Sequence, residues 1–205
     1  MPINNNIEEI LQNLTKLQND LEVEIDRLLD QKRKQFHYSL KRGRVRFEKG
    51  MRKLQQLQKI PSWQYLATAR IGHLLSAPFI YSLIIPFLLL DIFVTVYQQI
   101  CFRIYGIARV KRRDHIIIDR HQLAYLNVIQ KINCVYCGYG NGLIAYVREV
   151  AARTEQYWCP IKHARRSADP HRLSQSFVEY GDAENFNQRL KTLQQQLRDM
   201  DNNNA

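Results

Sequence analysis

The sequence lacks the short motifs that mark the common catalytic and nucleotide-binding sites. It contains no G-x-x-x-x-G-K-S/T phosphate-binding loop, no H-E-x-x-H zinc-protease helix and no G-x-S-x-G nucleophile turn. Gly138, Gly140 and Gly142 form a G-x-G-x-G run, which differs from the dinucleotide-binding fingerprint. Because no catalytic constellation stands out, we favour a role that is not enzymatic.

An export signal is lacking as well. Residues 1–30 carry seven acids and two bases, the opposite of the basic start and apolar centre of a signal peptide. We therefore expect no cleavable signal peptide. The four cysteines should then meet a reducing cytosol, in which a metal site is more common than a disulfide.

Acidic residues are scarce relative to basic ones. The chain has 19 Asp and Glu against 30 Lys and Arg, which gives a formal net charge of +11. Such an excess favours a polyanionic partner, either nucleic acid or an anionic lipid surface. Residues 31–53 hold ten bases and one acid, and they precede a long apolar segment. This order favours membrane lipid over nucleic acid as the partner.

The long apolar segment dominates the middle of the chain. Residues 74–102 contain one charge, Asp91, and as a straight helix they would extend about 44 Å, more than a hydrocarbon core of roughly 30 Å. Two complete passes need about 40 residues, so we predict either one tilted or kinked helix or a re-entrant hairpin bent near Pro86. Basic residues, among them Arg70 and Arg109, flank both ends, and this favours the hairpin because both flanks then stay cytosolic. Asp91 is interpreted as an interfacial or turn residue rather than as an ion site.

Amphipathic helices are predicted at both ends of the chain. Residues 7–60 carry a heptad-like stripe with a break between 31 and 43, which fits either a helix packed on its own protein or a coiled coil in a homo- or hetero-oligomer. The stripe begins with Ile7, Leu11, Leu14, Leu21, Ile25 and Leu28. Residues 183–200 repeat an apolar seam that should lie along the N-terminal helix or serve a partner. This seam consists of Phe186, Leu190, Leu193, Leu197 and Met200.

A metal site is predicted in the C-terminal half of the chain. Cys134, Cys137, Cys159 and His163 have the spacing C-x2-C-x21-C-x3-H. Two cysteines in a tight turn, a helix over residues 141–157 and a returning Cys-x3-His pair would form a closed Cys3His shell. Such a shell suits zinc in a structural role. The alternatives are an Fe–S cluster or a redox-active CxxC dithiol, and His171 is an alternative fourth ligand.

An aromatic cluster accompanies these residues. Its members are Tyr136, Tyr139, Tyr146 and Tyr157. Stacking on nucleic-acid bases is one interpretation, and it leads to a membrane-tethered nucleic-acid-binding protein as an alternative function. Packing around a small metal domain, or a belt at the membrane interface, is the interpretation that we prefer.

The run NCVYCGYGNGLIAYVREVAARTEQYWCPIKHARR, together with the apolar segment and IIIDRHQLAYLN, resembles a family of bacterial membrane-associated proteins of uncharacterised activity. The resemblance covers roughly residues 70–166. It implies a bacterial source and association with the cytoplasmic membrane, and it carries no activity over to this chain.

Together these observations predict a mainly α fold with five parts. A helical or coiled-coil arm (1–60) is followed by a linker (61–73), a membrane helix or hairpin (74–106), a Cys/His metal-binding module (107–175) and a C-terminal helix and tail (176–205). We expect a membrane-anchored structural or interaction protein with a zinc site on the cytoplasmic face. A redox or electron-transfer protein is the alternative.

Overall fold

A computed structural model describes residues 3–41, 44–48 and 50–200, and within these ranges the chain is mainly helical, as predicted. It divides into two compact units. The first contains the described residues of Met1–Ile60 together with Gln122–Asn127, and the second contains those of Pro61–His121 and Val128–Ala205. Each unit is described separately below.

The first unit begins with a helix, α1 (Ile3–Gln35), which ends where the break was predicted. Its apolar stripe is open, because the seam residues Leu14, Leu21, Ile25 and Leu28 are all more than 40% exposed. Ile7 and Leu11 lie outside the residues whose side chains the structure describes. Within the first unit the described part of the stripe is therefore not buried, and a coiled coil with a second chain stays a prediction.

A β-hairpin follows α1, where the sequence suggested a second stretch of helix. Strands β1 (Tyr38–Lys41) and β2 (Arg44–Phe47) pair antiparallel, with Tyr38 opposite Phe47. At the open end of the hairpin the Glu48 N–H donates to the His37 carbonyl, and the two side chains are hydrogen-bonded at 3.0 Å. The prediction of an interrupted helix over residues 36–47 is therefore wrong. Helix α2 (Met51–Leu57) completes this part of the unit.

The second unit is built around one long helix. Its helices are α3 (Ser62–Ala67), α4 (Ile71–Ser82), α5 (Ile84–Tyr97), α6 (Arg103–Tyr105), α7 (Arg112–His115), α8 (Val128–Trp158) and α9 (Phe186–Asp199). A π-helical turn, Gln98–Phe102, joins α5 to α6, and 3-10 turns occupy Arg120–Gln122 and Arg172–Ser176. The turn Arg120–Gln122 lies at the boundary between the two units, and its last residue, Gln122, belongs to the first unit. Helix α3 lies where a linker was predicted.

Helix α8 supplies the centre of the hydrophobic core. Its buried Leu143, Tyr146 and Val150 pack with Phe102 from the π-helical turn and with Leu197 from α9. Leu193 and Leu197 of α9 are fully buried, and the rest of the predicted seam is at least partly buried. The final helix is therefore confirmed, and its seam packs against α8.

The chain reverses at Gly106, directly after α6. Gly106 has φ +67°, a left-handed conformation that glycine adopts without steric cost, and it ends the helix. The segment from Ile107 to His115 then runs back along α5, since Val110 bonds to Gln98 and Arg112 bonds to Asp91. This return segment supplies polar partners to a helix that is otherwise apolar.

Candidate functional site

Residues Ile71–Tyr105 form a single helical segment, here called the apolar helix. It comprises α4, α5, the π-helical turn and α6, and it is long and apolar enough to cross a membrane, its best 18-residue window having a mean hydropathy of 2.3. Pro86 lacks the N–H that would bond to the Ser82 carbonyl, which explains why α4 ends there. Leu83 nevertheless keeps helical angles (φ −63°, ψ −13°). The predicted hairpin is therefore wrong, and one continuous segment takes its place.

The inner face of the apolar helix carries a charged hydrogen-bond cluster centred on Asp91. The Asp91 carboxylate accepts bonds from Arg112 Nε (3.0 Å) and Nη2 (2.5 Å), from the Tyr139 hydroxyl (2.9 Å) and from Thr95 Oγ1 (3.3 Å). Its side chain is only 13% exposed, so these donors replace the water that it has lost. Asp91 is thus a paired residue that ties the return segment and α8 to α5.

Gln98 extends this polar layer by about two helical turns. Its side-chain amide donates to the Val110 carbonyl (3.2 Å) and to the Tyr146 hydroxyl (2.5 Å), and its carbonyl accepts from the Val110 N–H (3.0 Å). Gln98 is buried, and all of these partners are protein groups. At Asp91 and Gln98 the inner face of the helix is therefore polar, and the protein itself supplies the hydrogen-bond partners.

The outer face of the same helix is an apolar stripe. Every member of the stripe is at least 51% exposed. The members, here called the outer stripe, are Ile71, Leu75, Phe79, Ile85, Leu89, Phe93, Val96, Ile100 and Ile104. Their spacing of mostly three and four residues places them on one side of the helix, over a length of about 50 Å. A contiguous exposed apolar surface of this extent is typical of a binding surface.

Polar groups also lie beside the N-terminal half of the apolar helix. The Tyr81 hydroxyl donates to Asn133 of α8, and the Tyr136 hydroxyl donates to the Ile80 carbonyl (2.7 Å). Lys131 and His121 line a groove together with Tyr81. Polar groups therefore flank one side of the helix from Ile80 to Gln98, while the outer stripe stays apolar.

The predicted metal ligands lie at two distant places. Cys134 and Cys137 are in the first third of α8, whereas Cys159 directly follows its last residue and His163 lies four residues further on. The continuous helix separates Cys137 from Cys159 by about 33 Å, at 1.5 Å per residue. Among the described residues, no group of three or more His, Cys, Asp or Glu side chains is placed to hold a metal ion. The four ligands do not meet in this fold, and a shared zinc ion, which stays a prediction, requires α8 to open.

The glycine-rich run after Cys137 is helical because its glycines allow close packing. A Cβ on Gly142 would lie 2.7 Å from the His115 carbonyl oxygen and from Ile116 Cα, and one on Gly140 would lie 2.9 Å from the Phe87 ring. Each glycine costs a helix about 1 kcal/mol relative to alanine, but the close contacts offset that cost. Asn141 is not a helix cap, since its amide donates to the Cys137 carbonyl inside α8.

The redox alternative also depends on where the CxxC pair lies. Cys134 and Cys137 are three residues apart, so they share one face of α8. They are inside the helix, where the backbone N–H groups are already bonded, whereas a reactive CxxC uses free N–H groups at a helix start to stabilise a thiolate. The position of the pair therefore gives the dithiol hypothesis no added support.

The four tyrosines of the aromatic cluster contact the protein's own residues. Tyr136 and Tyr139 bond to Ile80 and Asp91 as described, and Tyr146 is fully buried. Tyr157 stacks on Tyr105, with ring centroids 4.7 Å apart. These contacts agree with the packing interpretation of the cluster.

A second ionic cluster joins α8 to the chain that follows it. Glu149 accepts bonds from Arg153 (3.0 Å) on its own helix and from Arg172 (2.6 Å), and Arg153 also donates to the Ala108 carbonyl. Burial raises the pKa of Glu149, but the hydrogen bonds from Arg172 and Arg153 outweigh this and hold that pKa below its usual value. The charged carboxylate therefore fastens three segments together.

Arg112 is the residue that sequence reasoning missed. An acid in an apolar segment requires a partner, and the basic run after the segment offers one. The run contains Arg103, Arg109, Lys111, Arg112 and Arg113, and nothing local distinguishes the fourth of these. Only the reversal at Gly106 brings that residue to Asp91.

Comparison of the chain with models of protein families, with curated proteins and with solved structures found no match.

Proposed function

We propose that this protein binds a membrane through its apolar helix, which lies along one membrane surface, and that it has a structural or interaction role there rather than an enzymatic one. The observation that carries the proposal is the outer stripe, whose nine apolar side chains are exposed along the whole helix. Water disfavours such a surface, and the apolar boundary of a bilayer removes it from water.

The size of the stripe supports stable binding. Full burial of a Leu, Ile, Val or Phe side chain contributes about 1.5–3 kcal/mol, so burial of the exposed half contributes about 1 kcal/mol each. Nine such side chains give roughly 10 kcal/mol before the costs of association. A single myristoyl chain, which binds membranes reversibly, corresponds to about 5.5 kcal/mol.

The polar groups beside the helix support an orientation along the membrane rather than across it. If the helix crossed the bilayer, the pair of Asp91 and Arg112 and the side chain of Lys131 would be carried towards the hydrocarbon. A charge at the bilayer centre costs about 2.5–3.5 kcal/mol on insertion scales. With the helix parallel to the surface, the outer stripe faces the acyl chains and all of these groups face away from them.

The basic residues support an anionic surface. Arg70 and Arg103 are exposed at the two ends of the outer stripe, where they would meet lipid headgroups. Each basic residue close to an anionic surface contributes about 1 kcal/mol. The surface that we propose is the cytoplasmic face of a bacterial membrane; the charge supports an anionic leaflet, and the bacterial source is what the resemblance implies.

Sedimentation with phosphatidylglycerol-containing vesicles tests the proposal. Phe79 is 78% exposed on α4, a helix without buried residues, so Phe79→Asp removes apolar area and adds a charge without disturbing the core. We expect binding to weaken roughly 30- to 150-fold, which corresponds to about 2–3 kcal/mol. The matched control, Tyr180→Asp, changes an equally exposed aromatic residue outside the helix and should stay within about twofold. Equal effects of the two substitutions would contradict the proposal.

A second measurement separates surface binding from spanning. Phe93→Asp alters the outer stripe beside the polar layer, and it should weaken vesicle binding about as much as Phe79→Asp if the helix lies along the surface. The wild-type protein should also be extracted from membranes by alkaline carbonate. Complete resistance to extraction would show that the helix crosses the bilayer.

A further inference from the structure

A large groove lies between the apolar helix and the first turns of α8, entirely within the second unit. Its volume is about 710 Å³, which is in the range of roughly 300–1,000 Å³ found for small-molecule sites. One wall is formed by Ile84 and Leu88, and the opposite wall by Val128, Ile132 and Val135. The groove is therefore framed by two helices and lined by aliphatic side chains.

The tyrosine hydroxyls of the groove have no free proton to donate to a ligand. Tyr81, Tyr136 and Tyr139 all line it, but their hydroxyls donate to Asn133, to the Ile80 carbonyl and to the Asp91 carboxylate respectively. A polar ligand group placed against the aliphatic walls would lose hydrogen bonds to water without regaining them there. A long unbranched hydrocarbon chain loses none, so the lining matches a fatty acyl chain.

Two nitrogen-bearing side chains complete the lining. Lys131 supplies an ammonium group, and His121 supplies a ring N–H. These are the donors that bind a phosphate group, and basic pockets beside membrane helices bind anionic lipid headgroups. The combination of an apolar cleft with a cationic group fits an amphiphile that carries a negative charge.

The position of the groove gives access to such a ligand. Ile84 and Leu88 in its wall directly precede Ile85 and Leu89 of the outer stripe in sequence, so the groove opens on the flank of the face that meets the bilayer. We propose that the groove holds one acyl chain of an anionic phospholipid, with the phosphate at Lys131 and His121. This inference rests on the proposed membrane function and names the lipid that the same surface takes up.

Native mass spectrometry of the full chain, released from detergent after incubation with phosphatidylglycerol, tests the inference. We expect wild-type protein to retain one phosphatidylglycerol. Val135→Trp fills the groove and should lose the lipid, whereas Ile144→Trp adds the same bulk at an exposed position of α8 outside the groove and the outer stripe and should retain it. Leu88→Trp fills the groove from the other wall and should reproduce the loss, which guards against a folding defect in one variant.

The role of Lys131 in binding the phosphate is tested by the preference for an anionic lipid. Lys131→Gln should lower the preference for phosphatidylglycerol over phosphatidylcholine by roughly fivefold. The inference is overturned if wild type and both groove-filling variants retain lipid equally, if no lipid is retained, or if a dimer that Val135→Trp abolishes shows that a second copy occupies the groove.

Vesicle sedimentation of Val135→Trp separates this inference from the proposed function. Binding close to wild type is expected, since the outer stripe is intact. If that variant sediments normally but wild type retains no lipid in detergent, the groove inference fails while the membrane function stands. If wild type retains lipid but does not sediment with vesicles, the membrane function fails instead.

Discussion

The ion pair between Asp91 and Arg112 is exposed to solvent very unequally on its two sides, and this asymmetry predicts how substitutions will behave. The Asp91 side chain is 13% exposed, whereas that of Arg112 is 46% exposed. Loss of Arg112 leaves the mostly buried Asp91 carboxylate without its cationic partner. Breaking a buried ion pair in this way lowers the free energy of unfolding by about 3–5 kcal/mol. Because Tyr139 and Thr95 still donate to Asp91, we expect Arg112→Ala to cost about 3 kcal/mol.

Substitution of the acidic partner, Asp91, should cost less stability than substitution of Arg112. Asp91→Asn removes the charge and keeps an acceptor for Tyr139, while Arg112 turns to water. We expect a cost of about 1–2 kcal/mol, the value of a charge-assisted hydrogen bond reduced for exposure. Adding Asp91→Asn to Arg112→Ala should therefore restore stability, because the double variant no longer buries an unpaired charge.

Thermal unfolding in a mild detergent measures these differences. One kcal/mol shifts the Tm of a domain of this size by about 2–4 °C, so Arg112→Ala should lower the Tm by about 6–12 °C. The control Arg113→Ala changes a neighbour that is 83% exposed, with a contact of 3.8 Å to Asp114, and should change the Tm by no more than about 2 °C. A double variant less stable than Arg112→Ala would refute the reasoning.

Three further predictions concern the rest of the second unit. Against the effect of burial, the hydrogen bonds from Arg172 and Arg153 lower the pKa of Glu149, so its contribution to stability is complete above its unfolded value near 4.5 and is lost as the pH falls through the lower folded value. Glu149→Gln should therefore lower the free energy of unfolding by about 1–3 kcal/mol at pH 7 and by less at pH 3, as measured by thermal unfolding. Gly142→Ala should lower the Tm through overpacking of about 1–3 kcal/mol, less about 1 kcal/mol of gained helix propensity, whereas Gly72→Ala, which meets open space, should leave the Tm unchanged or raise it. Cys137 and Cys159 are exposed, so both should react with maleimide at the same rate with and without a zinc chelator. A slow reaction that becomes fast when the chelator is added would show instead that these cysteines bind zinc.

Elements with local signals were predicted well. The seam of α9 repeats at three and four residues, and Leu193 and Leu197 in that seam are fully buried, because helix periodicity selects the face before any partner is known. The partner itself was not predictable, since several helices of the chain offer an apolar face. The end of α1 was also visible from the slip in its heptad pattern.

Elements that depend on tertiary contacts were predicted poorly. Glycines usually indicate a turn, and the CxxC pair before the glycine-rich run was predicted to lie in a tight turn, with helix only from residue 141. In the fold the glycines of this run are helical because neighbouring backbone and the Phe87 ring occupy the space of the missing Cβ atoms. That space depends on segments twenty to fifty residues away, which local propensity does not register.

The apolar helix shows why length and composition alone identify a membrane segment incompletely. Length and mean hydropathy are averages over all sides of a helix, and by these two measures the apolar helix is long and apolar enough to cross a bilayer. The fold places polar partners on part of the helix: the reversal at Gly106 brings Val110 and Arg112 back to Gln98 and Asp91, while Ile80, Leu88 and Ile92 outside the outer stripe are also about half exposed. An orientation along the membrane surface, which we propose, buries the outer stripe while the pair of Asp91 and Arg112 stays outside the hydrocarbon. The free energy gained by the stripe and the cost of burying the inner charges therefore favour the same orientation, parallel to the membrane surface.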